Sequence, residues 1–251
     1  MDTDLLYKQV KPASSLADFV DSFWMLQNLS DQPKDVIILP DGRIDLFLTQ
    51  SVTEPFHIIL LGLDTHPSPA VVAPRTRTFA ISFNPLATEY VLHQTIADLG
   101  DNVRMLPDDF WNFTADDLTH FDRFVEKASA KIQSSINEQV DDRKRKLFAL
   151  MYTSKGSMPV NELAQNVCWS SRQINRYFNQ QYGISLKTYC SVLRFRASFS
   201  QLKEGKLFPE QFFADQAHFI KEIRKFSGTI PKELHRNKND RFIQFSALPP
   251  E

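Results

Sequence analysis

The chain has 251 residues, with 29 Lys+Arg against 30 Asp+Glu and a formal net charge of −1. Its 42% hydrophobic and 24% charged content fits a globular protein of one large or two ordinary domains. Two cysteines and seven glycines exclude a disulfide framework, a Cys-x-x-Cys zinc site and a Gly-rich phosphate loop. Apolar runs such as Ile58–Leu61 are far shorter than the ~18 residues a membrane span needs, and Met1–Lys11 lacks a signal-peptide pattern. A cytoplasmic protein without membrane association is expected.

Charge is unevenly distributed. Residues 1–150 carry 14 Lys+Arg and 22 Asp+Glu, a net of −8, whereas residues 151–251 carry 15 and 8, a net of +7. Such asymmetry suits an acidic module joined to a basic nucleic-acid module, or else uneven but ordinary solvated surfaces.

In chain order, Val36–Leu39 and Ile44–Leu48 read as strands around the turn Pro40-Asp41-Gly42, where Pro presets φ and Gly permits φ > 0. His57–Leu63, Ala70–Ala73 and Thr78–Phe83 continue the strand pattern. From Pro85 the pattern turns helical: Leu86, Tyr90 and Val91, then Phe121, Phe124, Val125, Ala128 and Ile132, recur at helical spacing. A linker helix is expected over 138–157. Its Asp141-Asp142 precedes the basic run Arg143–Lys146, an order that suits the helix dipole and reads as a solvated face before a DNA contact.

The basic half repeats itself at an offset of 45 residues. Ser170 aligns with Asp215, Ile174 with Phe219, Arg176 with Lys221, Phe178 with Ile223, Gly183 with Gly228 and Tyr189 with Leu234. Each copy has an N-cap, an apolar i,i+4 pair and a closing glycine. Long polar side chains occupy the other face: Arg172, Asn175 and Arg176 in the first copy, Gln216, Lys221 and Arg224 in the second. Pro159–Val167, a break at Cys168-Trp169, and the capped helix together form a helix-turn-helix pattern, in which Arg suits guanine and Asn suits adenine. Between the copies, residues 186–202 read as one helical stretch of ~26 Å, which would hold two reading helices about one DNA turn, ~34 Å, apart.

Residues 158–236 resemble the DNA-binding domain of the AraC/XylS family of bacterial transcription regulators. The resemblance rests on Val160-Asn161-Glu162-Leu163-Ala164, the Ser170–Phe178 helix, Gly183-Ile184-Ser185-Leu186, and Tyr189 with Arg194 and Ala197. It continues through Asp215-Gln216-Ala217-His218-Phe219, Lys225-Phe226-Ser227-Gly228 and Pro231. It implies DNA contacts by Ser171, Arg172, Asn175 and Arg176 from the first reading helix, and by Gln216, His218, Lys221 and Arg224 from the second. His218 is equally read as a residue that caps or packs within its own turn. The second unit departs from the family pattern: about five residues fewer lie between Gly205 and Asp215, and Pro209 sits among them. The tail 237–251, with Phe242, Phe245 and Leu248, is expected to pack back on the protein.

The resemblance also implies an N-terminal sensing and dimerising domain over 1–137. The fold class expected is α+β, a β-rich, barrel-like N-terminal domain followed by helices, then an all-α double helix-turn-helix domain. Phe79–Pro85 and Pro40–Leu46 weakly resemble segments of such sensing domains. Trp24, Arg43, Asp45 and His57 are the candidate contacts for a small-molecule effector, each with ordinary core or turn duty as the competing reading. No metal or cofactor is expected. The partners implied are double-stranded DNA, an effector, a second copy joined through the Phe121–Met151 helices, and RNA polymerase. An enzyme lacks its catalytic constellation here; a non-DNA interaction protein with a degenerate helix-turn-helix stays open as the alternative.

Overall fold

A computed structural model describes residues 4–100, 102–209, 213–237 and 241–247. The chain is an α+β protein in which strands dominate the N-terminal part and helices the rest. It divides into two compact units. One holds residues up to Asp35, Arg43–Gly62 and Ala70–Gln139, and the other holds Val36–Gly42, Leu63–Pro69 and the chain from Val140 onward.

The first unit is built on a six-stranded antiparallel sheet. Its strands are β1 (Leu5–Val10), β2 (Val20–Asn28), β4 (Ile44–Gln50), β5 (His57–Leu61), β7 (Arg77–Phe83) and β8 (Val103–Leu106), in the order β1-β2-β7-β4-β5-β8. β3 (Lys34–Ile38) and β6 (Ser68–Val72) form a separate two-stranded sheet. The centre of one face of the large sheet is apolar: Leu46, Leu48, Phe79, Ile81 and Phe23 are all buried. The helix α2 (Phe121–Ser135) covers that face, with the Phe124 ring centroid 6.4 Å from that of Phe23 and 5.5 Å from that of Phe79. Each buried phenyl ring contributes roughly 1.5–3 kcal/mol of transfer free energy. Helical periodicity after Pro85 yields only one turn, α1 (Ala87–Tyr90), before the chain returns to the sheet as β8.

The second unit contains α3 (Asp142–Thr153), α4 (Val160–Asn166), α5 (Ser171–Tyr182), α6 (Leu186–Ala197), α7 (Phe199–Lys203), α8 (Gln216–Ser227), α9 (Pro231–Arg236) and α10 (Ile243–Ala247). The helix expected as a linker is part of this unit. α3 buries Leu147, Phe148 and Met151, and the Phe148 ring meets Phe178, Tyr182 and Tyr189 at 5.8–6.2 Å. The helical stretch expected over 186–202 is broken at Ser198, whose N–H bonds back to Arg194 and Phe195 and whose hydroxyl donates to Phe195 O.

α6 serves two apolar clusters. Tyr189 faces the aromatic group around Phe148 and Phe178, while Val192 and Phe195 join Phe199, Phe219, Ile223 and Phe226. Leu39, from far upstream, is 1% exposed in the second cluster. The Tyr189 hydroxyl also donates to Gly42 O at 3.2 Å. Phe242 and Phe245 of the tail are buried in the same cluster, and Ile37 pairs in parallel with Phe242. Leu248 lies outside the described residues. Among the described residues no helix is long and apolar enough to cross a membrane.

Candidate nucleic-acid interface

α4 and α5 are joined by a short turn. The turn places Cys168 at φ +54°, and Trp169 N–H reaches back to Ala164 O at 3.2 Å. Ser170 then caps α5 reciprocally: its hydroxyl oxygen accepts from Gln173 N–H, and Gln173 Oε1 accepts from Ser170 N–H at 2.8 Å. Ile174, Phe178 and Tyr182 are buried, and Gly183 closes the helix at φ +73°. The opposite face is open. Arg172, Asn175, Arg176, Asn179 and Gln180 line a concavity of about 520 Å³ on it. Arg172 and Arg176 are exposed and make no hydrogen bond or ion pair with any described residue.

α8 repeats this construction 45 residues on. Asp215 Oδ1 accepts from His218 N–H at 2.7 Å, Phe219, Ile223 and Phe226 are buried, and Gly228 closes the helix at φ +71°. Its open face presents Ala217, Ile220, Lys221, Arg224 and Lys225 around a concavity of about 590 Å³. Lys221 and Arg224 are exposed and, like the two arginines of α5, have no ion-pair partner among the described residues. Before α8, the described residues between Gly205 and Asp215 form no helix. Phe213 packs there instead, its ring 5.0 Å from that of Phe219.

The eight residues selected from sequence therefore separate. Ser171 Oγ donates to Asn161 Oδ1 at 3.1 Å, tying α5 to α4. Its counterpart 45 residues on, Gln216, donates from Nε2 to Leu207 O at 3.1 Å, tying α8 to the segment before it. His218 accepts from Ala214 N–H at Nδ1 and packs against Phe213. Asn175 returns its amide to Ser171 O at 3.0 Å. Arg172, Arg176, Lys221 and Arg224 are exposed and have no partner among the described residues. Asn179, Gln180, Ala217, Ile220 and Lys225 were not selected, although the offset of 45 aligns them on the same two faces.

The basic run of α3 is partly neutralised locally. Arg143 pairs with Asp141 at 2.7 Å and lies 5.2 Å over the Trp169 ring, and Arg145 pairs with Asp142 at 3.0 Å. The Arg143 guanidinium holds the Asp141 carboxyl below the usual range, chiefly through their hydrogen bond.

In the first unit, Trp24 stacks on Tyr7 at 6.1 Å and meets Phe47 edge-on at 5.0 Å. Its neighbour across the strands, Ala80, also pairs with Phe47, so these side chains share the sheet face opposite α2. One register step further along this face, Asp45 accepts a short hydrogen bond from Ser82. Arg43 forms a buried ion pair with Asp21 at 3.0 Å, with side-chain exposures of 8% and 13%. His57 stands apart. It pairs with Thr49, four residues along β4 from Asp45 or about 13 Å at strand rise, and its Nδ1 bonds Pro55 O. Among the described residues no group of three or more His, Cys, Asp or Glu is placed to hold a metal.

Residues 8–105 match a family model described as a domain of unknown function, DUF6597. No curated protein matches. Among solved structures, ToxT from Vibrio cholerae is similar at 12% identity and a TM-score of 0.46, covering 92% of this chain and 97% of that one. ToxT bound to (E)-4-(8-methylnaphthalen-1-yl)but-3-enoic acid is similar at 14% identity and a TM-score of 0.42, with the same coverage. No residue role is carried over from these likenesses.

Proposed function

We propose that this chain is a sequence-specific DNA-binding transcription regulator of the AraC type. One observation carries the reading: two helices with equivalent caps, equivalent stops and equivalent open faces recur 45 residues apart, and on both stand cations that have no partner among the described residues. Unpaired, exposed Arg and Lys on a helix face suit phosphates and guanine edges. The +7 charge of residues 151–251 favours the same partner. The AraC-like pattern extends the reading to a sensing N-terminal domain, a homodimer and contact with RNA polymerase. On that reading the Trp24–Phe47 face, with Asp45 at one end, is where a small-molecule effector would sit.

The test is selection of bound sites from a random duplex library by the full chain, followed by salt titration. Log affinity should fall against log salt with a slope of ~ −0.9 per phosphate neutralised. Arg176→Ala should cost ~1–3 kcal/mol and relax preference in one part of the site. The second reading, an interaction protein with a degenerate helix-turn-helix, draws on the absence of a helix among the described residues between Gly205 and Asp215. It predicts no enriched site and no salt-dependent mobility shift.

A further inference from the structure

The two open faces are built from the same positions but carry opposite chemistry. The offset of 45 aligns Arg172 with Ala217, Asn175 with Ile220, Arg176 with Lys221, and Asn179 and Gln180 with Arg224 and Lys225. Toward its N-terminal end, the α5 face is a guanidinium and an amide, whereas the α8 face is a methyl and a sec-butyl group. Toward the C-terminal end the order reverses, with amides on α5 and cations on α8. Ile220 is 37% exposed on this face, next to Lys221. The polar side chains of the first α8 turn cannot offset that apolar tip, because Gln216 is bonded to Leu207 O and His218 to Ala214 N–H.

In a helix-turn-helix, the N-terminal residues of the reading helix meet base edges, and phosphates flank them. Apolar side chains there recognise the thymine C5-methyl, whereas Arg and Asn recognise donor and acceptor patterns. Resting on the DNA-binding reading above, we propose a division of labour between the helices. α5 reads its part of the site by hydrogen bonds. α8 reads thymine methyl groups through Ala217 and Ile220, while Lys221, Arg224 and Lys225 hold phosphates. The basic collar matches the polyanion, so the occupant of this apolar patch is the DNA major groove.

The experiment uses the full chain and its selected duplex. Arg176→Ala identifies the part of the site read by α5, and the remaining part is assigned to α8. Thymine is then replaced by uracil in each part separately, which removes the methyl and leaves every hydrogen-bonding group. In the α8 part, the loss expected is about fourfold in affinity for each methyl contacted, from ~0.8 kcal/mol per buried methyl-sized group. In the α5 part, uracil should change affinity less than twofold. Ile220→Ser should reduce the uracil effect by the share of the methyl that Ile220 contacts, and Arg176→Ala should leave it intact. Ile220 is partly exposed, so Ile220→Ser is expected to fold, and a thermal melt matching the parent checks this. DNA binding with no uracil effect in the α8 part, or with an effect that Ile220→Ser leaves undiminished, overturns the division of labour alone. Absence of any selected site overturns the regulator reading, and the inference falls with it.

Discussion

Two positions show how closely single residues are held. Gly156 has φ +73°, and a Cβ there would lie 2.2 Å from Cys190 O, a backbone atom of α6 that cannot swing away. Its own carbonyl accepts from Arg194 Nη1 at 2.6 Å, and Arg194 Nη2 donates to Ser191 Oγ. Gly156→Ala should therefore cost roughly 2–4 kcal/mol, combining left-handed strain with overpacking, as read by chemical denaturation. Gly205→Ala is the contrast: φ is +78°, but the nearest atom is a His235 ring carbon at 3.4 Å, so only about 1 kcal/mol is expected. The second position is Cys190, whose thiol burial pushes up from 9.0 to about 11. A thiol-alkylating reagent at pH 8 should label exposed Cys168 and reach Cys190 only on unfolding. The sign for stability follows from the raised value. The unfolded thiol releases its proton near pH 9 and the folded one near 11, so this contribution is complete below pH 9 and is lost as pH rises toward 11. A denaturation series across that window should show stability declining, and Cys190→Ser should flatten that part of the curve.

At the scale of elements, α5 and α8 depend on their caps. Ser170→Ala removes the hydroxyl that accepts from Gln173 N–H and leaves only the backbone half of the α5 capping box, and Asp215→Ala removes both an acceptor and a favourable charge at the start of α8. Each should cost about 1 kcal/mol, measured by thermal melting, and fray the first turn that carries Arg172 or Ala217. These caps, and the glycines that end the helices, were legible in the sequence because they are local. A cap needs one side chain three residues from an N–H, and a stop needs one residue free to take φ > 0. Strand pairing is not local, and there the sequence was less informative. β1 and β2 pair through half-polar strings such as Leu-Leu-Tyr-Lys-Gln-Val, which resemble no clean alternation. β8 is a four-residue edge strand with Val103 and Met105 exposed, so its burial pattern inverts the expected signal. The break at Ser198 carries neither Gly nor Pro to announce it. Site residues divide in the same way. Arg172 and Arg176 are exposed because periodicity puts them opposite Ile174 and Phe178. The bond from Gln216 to Leu207 O could not be foreseen, because Leu207 lies in an irregular segment that periodicity does not describe.

At the scale of the whole molecule, the helical unit is assembled from three stretches of chain, and no composition shift at residues 138–157 marks the two upstream ones. A fragment beginning at Val140 would lack Leu39, whose side chain sits among Val192, Phe195, Phe199 and Phe219. Removing that one side chain from a packed core costs ~2–5 kcal/mol, a large share of a typical domain's 5–15 kcal/mol. The fragment should melt well below the full chain or aggregate, as circular dichroism and light scattering would show, and Leu39→Ala in the full chain should destabilise by that same ~2–5 kcal/mol. Order of synthesis adds a temporal consequence. Leu39 leaves the ribosome roughly 200 residues before Phe245, which shares its cluster, and at ~5–20 residues per second the interval is about 10–40 s. Throughout that interval, the nascent chain carries an apolar segment whose partners have not yet been made. The helical core can therefore close only late in translation, once Phe245 has joined Leu39 outside the ribosome.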